Sequence, residues 1–391
     1  MAQPQMTIET VRQRTPLLEK SADTDTVNYQ KPPVAKNKGS TAKQNGSSIN
    51  NSRKKGHSNT VVEATLAPSQ YQTEISGALI LLTYALHQQE QFRPYTSKLL
   101  TVQYAKNGYA QIGAEDAYFV LFAVVWLTFA RSILVDYILR YVAIKARLRT
   151  KKAIARFVEQ SWSIIYYSTS FSAGMYLFKQ SEYWMSATNL WKGWPHYEIP
   201  VLTKAYYLIQ LACWFQQIYV LHVEERRKDH YQMFTHHIIT CALIIGSYYY
   251  YYTRVGHVIL ILMDVVDIQL SLAKVFNYFE WRTICDTTFG IFMLSWMVCR
   301  HGIYNYLVYT AMTSAIDLIP TKCYSDEVTG EHIRCFTPAV HWTLVTLLCI
   351  LQVITLIWFG MILRVAINVI KGSAAEDTRS DDEDSDNEKD D

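Results

Sequence analysis

The sequence predicts an all-α polytopic membrane protein of about eight transmembrane helices. Three observations carry this. Apolar runs of roughly 18 to 25 residues recur from residue 75 to 370, each long enough to cross a hydrocarbon layer about 30 Å thick. Half of the 391 residues are hydrophobic and 14% are aromatic. Lys and Arg gather in alternate connections between the runs rather than in all of them.

Residues 1–74 carry ten Lys/Arg against six Asp/Glu, and residues 372–391 carry ten Asp/Glu against two Lys/Arg. Both stretches are too poor in apolar residues to offset the entropy of ordering, so they read as disordered tails, one basic and one acidic. Between them, hydropathy places spans near 75–91, 117–139, 161–178, 205–223, 233–252, 255–273, 284–309 and 339–365. The first is the weakest, because its apolar part is short and runs into Gln88-Gln89-Glu90-Gln91.

The stretch Arg140 to Arg156 reads as a loop with seven basic residues, and Arg226-Arg227-Lys228 follows the fourth span; the opposite connections hold three, three, one and two. Basic loops stay cytosolic, so both tails are expected in the cytosol. The sequons at Asn45 and Asn50 would then go unused. No charged-apolar-small leader opens the chain, and an internal span is expected to direct insertion. The expected divisions are a basic tail (1–74), two helices with a basic loop (75–150), a membrane domain (151–371) and an acidic tail (372–391).

Cys213, Cys241, Cys285, Cys299 and Cys349 lie in apolar runs and read as small hydrophobes. Cys323 and Cys335 flank a polar loop expected in the lumen, where an oxidising compartment permits a disulfide between them. Tyr248 to Tyr252 end the fifth span and read as an interfacial aromatic belt with wet hydroxyls. In the acidic tail, Ser380 and Ser385 are followed by carboxylates and read as acceptors for an acidophilic kinase.

Ionisable residues inside spans are costly and mark a bundle interior or a functional cavity. The second span holds Arg131 and Asp136, five apart and so expected to pair with other helices or to snorkel. The fifth holds His236 and His237; the sixth holds Asp264 and Asp267, three apart on one helix face. Only Thr253-Arg254 separates these two spans, which predicts an antiparallel hairpin with Asp267 opposite Thr240 and Leu270 opposite His236.

Three chemistries fit such a cluster. A carboxylate can orient and charge-stabilise an imidazole for acyl transfer. A single metal can be held by His230, His236, Asp264 and Asp267. The same groups can pair simply to fasten helices together. The repeated histidine boxes of membrane di-iron oxidases are missing, since His222, His257, His301 and His341 stand alone.

The run Glu224-Glu225-Arg226-Arg227-Lys228-Asp229-His230-Tyr231-Gln232-Met233, then His236-His237-Ile238-Ile239-Thr240, Ser247-Tyr248, Arg254-Val255-Gly256 and Met263-Asp264-x-x-Asp267-Ile268-x-Leu270 with Ala273-Lys274, resembles the longevity-assurance motif of ceramide synthases. Residues 151–371, with Arg156-Phe157-x-Glu159-Gln160-x-Trp162 and Tyr206-Tyr207-Leu208-Ile209-Gln210, resemble the surrounding TLC-type domain, so the eight helices are expected to enclose a TLC-type cavity. No homeobox-like insert separates the first two spans, which is similar to the fungal type.

The resemblance implies a sphingosine N-acyltransferase of the endoplasmic reticulum membrane. A fatty acyl group, very long chains included, passes from acyl-CoA to the amine of dihydrosphingosine or phytosphingosine to form ceramide. Acyl-CoA is then a co-substrate, and neither a cofactor nor a metal is implied. The family's catalytic positions fall on His236, His237, Asp264 and Asp267, with His230 supporting at the entrance. The reacting imidazole, His236 by preference, acts either as general base or as nucleophile. Arg226, Arg227, Lys228 and Lys274 are candidates for CoA phosphates. A small single-span accessory subunit and a homo- or hetero-dimer with a paralogous synthase are the partners implied, with no nucleic acid. The competing reading is a non-catalytic TLC-domain lipid-binding or membrane-insertion factor.

Overall fold

In lipid a backbone must satisfy its own hydrogen bonds, so long apolar runs become helices. In the computed structural model, which describes residues 67–148, 150–223, 229–319, 323–325 and 332–371, a helix covers every run expected as a span. In order they are α1 (Ala67–His87), α2 (Arg93–Leu100), α3 (Asp116–Ile133), α4 (Arg140–Lys145), α5 (Lys151–Gln180), α6 (Ala187–Trp191) and α7 (Val201–Val223). Then come α8 (His230–Tyr249), α9 (Thr253–Tyr278), α10 (Arg282–Trp296), α11 (Tyr304–Met312), α12 (Ser314–Leu318) and α13 (Pro338–Ile370). Two π-helical segments, Leu134–Leu139 and Met297–Ile303, join α3 to α4 and α10 to α11 without a break. Among the described residues two rods, Asp116–Lys145 and Pro338–Ile370, are by length and composition long and apolar enough to cross a membrane.

Three sequence expectations shift. Helix α1 starts at Ala67, inside the stretch expected as a disordered tail, because a polar first turn escapes a hydropathy reading. The basic stretch expected as a loop is mostly helix, since α4 runs to Lys145 and α5 starts at Lys151, where Thr150 Oγ1 accepts the Ala153 N–H at 3.1 Å. Lys and Arg are good helix formers, so charge alone does not break the rod. Asp136 pairs with Arg140 of its own rod at 3.6 Å, four residues on, rather than with another helix.

Helix α9 is central and packs most extensively against α5 and α10. Two glycines make room where α9 meets α5 and α7. A Cβ at Gly174 of α5 would lie 2.8 Å from both Ile261 and the Tyr206 hydroxyl, and the Tyr207 hydroxyl fills the place of a side chain at Gly256.

Beyond one end of the bundle, β1 (Ala105–Lys106), β2 (Tyr109–Ala110) and β3 (Ile199–Pro200) form a small antiparallel sheet. Lys204, fully buried, lies 2.7 Å from Asp116 and donates to the carbonyls of Gln103 (2.9 Å) and Gln111 (2.6 Å). The Tyr248 hydroxyl donates to the other Asp116 oxygen at 2.7 Å.

Tyr248 to Tyr252 therefore do not form a lipid-facing belt. Tyr248, Tyr251 and Tyr252 are buried, with Tyr248 stacked on Tyr207 and Tyr252 on Trp194. The chain turns within this run, where Tyr251 takes φ 60°, and the turn folds rings inward. Tyr249 remains exposed.

Cys213, Cys241 and Cys285 are buried free thiols, and Cys299 and Cys349 are half-buried ones. Strands β4 (Cys323–Ser325) and β5 (His332–Cys335) pair antiparallel with Cys323 opposite Cys335. The side chains of both cysteines lie outside the described residues, as do Arg226, Arg227, Lys228, Ser380 and Ser385.

Candidate active site

Two cavities meet inside the bundle. The wider, about 360 Å³, is lined from α5, α7, α8, α9, α10 and α13; its polar residues include Glu159, Asp229, His230, Lys274 and Asn277. The narrower, about 90 Å³, is walled by aliphatic side chains such as Leu243, Ile259, Leu260, Leu348 and Leu351. Trp214, His236, Asp267 and Arg300 line both, so they form the neck between a mixed, more polar chamber and an apolar one.

The expected histidines take different roles. His236 lies edge-on to two indoles, with ring centroids 5.3 Å from Trp214 and 5.0 Å from Trp358. Among the described residues its buried Nδ1 has no hydrogen-bond partner, nor has the Trp358 Nε1–H beside it. His237, one position on, turns about 100° around the helix; it is buried and its Nδ1–H donates to the Met233 carbonyl. His230, at the start of α8, is buried on the wider cavity, and among the described residues its Nδ1 has no partner.

The carboxylates bond elsewhere than the sequence reading expects. Asp264 is buried and accepts from the Ser170 hydroxyl and, at 3.2 Å, from Gln210 Nε2. Tyr166 donates to Gln210 Oε1 at 3.0 Å, and Gln210 donates to the Tyr206 hydroxyl at 3.0 Å, so α5, α7 and α9 are laced together at Asp264. Asp267 pairs with Arg300 at 2.7 Å. Among the described residues no carboxylate bonds to His236 or His237, so the expected His–Asp pairing gives way to these partners. Although α8 and α9 share a tight turn, the α9 carboxylates face α5, α7 and the π segment, where Ser170, Gln210 and Arg300 meet them.

Arg300 is the residue the sequence reading missed. It sits in the π segment, 4% exposed, with its guanidinium 4.3 Å from the Trp296 ring centroid and its Nε without a partner among the described residues. π-Helical turns concentrate at functional positions because the extra residue redirects a side chain. The signal was present: a lone arginine within the apolar run Phe292-Met293-Leu294-Ser295-Trp296-Met297-Val298-Cys299-Arg300. His301 follows it and bonds Trp296 Nε1 (3.2 Å) and Gln352 (2.8 Å), which steadies the indole under the guanidinium.

Lys274 and Arg131 also line the wider cavity. Among the described residues no group of three His, Cys, Asp or Glu side chains converges as a metal site.

Residues 156–364 match the TLC domain family, so the helical bundle is of TLC class. The chain is 39% identical over 329 residues to "Sphingosine N-acyltransferase lag1" of Schizosaccharomyces pombe, which covers 84% of this chain and 83% of that one. It is 40% identical to "Sphingosine N-acyltransferase-like protein ALT7" of Alternaria alternata (70% and 68% covered) and 33% identical to "Ceramide Synthase FUM18" of Gibberella moniliformis (79% and 77% covered). The chain belongs to the TLC-domain family of sphingosine N-acyltransferases, the ceramide synthases, as its histidine and aspartate motif led us to expect.

Proposed function

We propose that the protein is a multi-pass ceramide synthase that joins a fatty acyl group from acyl-CoA to the amine of a sphingoid base, with His236 as the reacting imidazole. The observation that carries this is the position of His236 at the neck between the two cavities, with a buried, unpartnered Nδ1. An acyl-CoA is amphipathic in the same sense as the site. Its charged headgroup suits the more polar chamber and the start of its chain the apolar one, which sets the thioester carbonyl at the neck.

Two chemical routes use this geometry. In the first, the amine nitrogen attacks the carbonyl carbon while His236 takes its proton, and the imidazolium returns that proton to the CoA sulfur as the C–S bond breaks. In the second, His236 attacks the carbonyl and expels CoA as its thiol, and the amine then displaces the imidazole from the acyl group. Either route places negative charge on the carbonyl oxygen. Arg300 Nε and Trp358 Nε1 are buried donors without partners around His236, and they suit that oxyanion. Asp267 holds Arg300, Asp264 fixes the α5–α7–α9 framework, His237 braces α8, and His230 lines the approach.

On this reading the eight long helical stretches span the endoplasmic reticulum membrane with both termini cytosolic. Arg226, Arg227, Lys228 and Lys274 bind CoA phosphates, and a single-span subunit and a second synthase copy are its partners. The register of Cys323 opposite Cys335 supports a disulfide closing the β4–β5 loop, and Ser380 and Ser385 are kinase acceptors.

The test is intact mass after incubation with acyl-CoA and no amine. The covalent route yields protein heavier by one acyl group less a hydrogen, and His236→Ala abolishes it. CoA release only in the presence of sphingoid base selects the base route. Full N-acylation by His236→Ala would remove His236 from the reaction.

A further inference from the structure

The wider cavity continues from His236 past Met233 to His230 at the start of α8, and all three line it. His230 is 7% exposed, and among the described residues its Nδ1 has no hydrogen-bond partner. Edge-on contacts hold its ring, with centroids 5.8 Å from His222 and 5.5 Å from Tyr231. His222 gives its own Nδ1–H to the Ile218 carbonyl at 2.7 Å. An imidazole buried beside a cavity with a nitrogen left over is costly unless a polar group meets it there.

Distance from the neck identifies that group. The six residues from His230 to His236 rise about 9 Å along α8. On α9, past the shared turn, the seven residues from Asp267 at the neck to Lys274 rise about 10 Å, so two helices place polar side chains of the chamber at this same level. An acyl-CoA with its thioester carbonyl at the neck extends its pantetheine arm through the chamber at roughly 1.25 Å per bond. The first amide then lies about 4 Å from the sulfur, the second about 9 Å and the pyrophosphate about 15 Å. The hydroxyls of a sphingoid base lie within about 4 Å of the amine that attacks the carbonyl, too close to it to reach this level.

We propose that His230 binds the second amide of the pantetheine arm, the one that joins β-alanine to pantoate, and so fixes the thioester at the depth of His236. The inference rests on the acyltransferase reading above. An amide offers both an N–H and a carbonyl oxygen, so it satisfies the imidazole in either tautomer.

The experiment compares two unreactive thioethers of the same alkyl chain as competitors of acyl-CoA, on purified full-length protein with dihydrosphingosine as acceptor. S-alkyl-N-acetylcysteamine carries only the first amide, and its β-alanyl-extended homologue adds the second and nothing beyond it. With the wild-type protein the extended compound has an inhibition constant about tenfold lower. His230→Leu brings the two constants together, and so does His230→Phe, which keeps a ring in the site; His230→Gln, with an amide of its own, retains most of the difference. Both compounds are measured on one preparation, so a loss of folded protein cancels from the ratio. Equal constants in the wild type, competition by neither compound, or an undiminished difference in both His230→Leu and His230→Phe overturns the proposal. So does a KM that rises for dihydrosphingosine and not for acyl-CoA, because the imidazole then meets the amine substrate. No N-acyl product from the wild-type protein with acyl-CoA fails the acyltransferase reading instead.

Discussion

Asp267 of α9 and Arg300 of the π segment Met297–Ile303 form an ion pair with Nη2 and Oδ1 2.7 Å apart, at the neck shared by both cavities. The arginine is almost fully buried, and its carboxylate partner faces the cavity at 27% exposure. One charge of a pair this deep holds the other, so each residue depends on the other for its place as well as its energy.

Removing one member leaves a buried charge alone, which costs about 3–5 kcal/mol, whereas replacing both with apolar groups is near neutral. Arg300→Met and Asp267→Leu are therefore each expected to lower the melting temperature in detergent, and the double variant to recover it. Acyl transfer is expected to stay low in all three. A double variant that is both stable and active would reduce the pair to a helix fastener.

The Trp358 indole packs against His236 and carries a free N–H. Trp358→Phe keeps most of the ring packing and deletes that donor. Loss of one oxyanion donor lowers kcat by about 100-fold or more, with KM little changed. Steady-state rates over an acyl-CoA concentration series check this; a raised KM at constant kcat would assign Trp358 to binding alone.

Much of this site was legible in the residues. His236, His237, Asp264 and Asp267 were visible because polar groups in apolar runs are rare, and all four pack in the bundle interior around the cavities. Their bonding was not legible. A hairpin read from sequence pairs α8 with α9, but Asp264 finds Ser170 and Gln210, which are far away in the chain. Arg300 was hidden among apolar neighbours, and no local pattern announces a π segment. Tyr248 and its neighbours look like belt residues because composition cannot reveal that the chain turns inward there.

Gln210 is the hub around Asp264, bonding Tyr166, Tyr206, Ser170 and the carboxylate. Gln210→Leu fills the volume but strands those groups, at about 1–3 kcal/mol for each buried group left unsatisfied. The variant is expected to melt at lower temperature and to lose activity in proportion to the folded fraction. Glutamate at the same position adds a second acid beside Asp264, so Gln210→Glu is expected to be less stable than Gln210→Leu. Equal melting temperatures of Gln210→Leu and wild type would show that the network contributes nothing.

His196, in the loop before β3, gives a pH dependence of stability. Burial, helped by the nearby Arg254 charge, pushes its imidazole down to about 4, while its Nε2–H donates to the Lys192 carbonyl at 3.1 Å. Above pH ~6.5 the ring is neutral folded or unfolded, and its titration contributes nothing. As pH falls from there toward about 4, the unfolded chain takes up a proton that the folded chain refuses, so stability declines over that window and levels off below it. His196→Gln can keep a bond to the carbonyl and cannot titrate. Its melting temperature is expected to fall less than that of wild type between pH 7 and pH 4.5, in detergent at constant ionic strength. Parallel curves for the two proteins would show that His196 is protonated in the folded state as readily as in the unfolded chain.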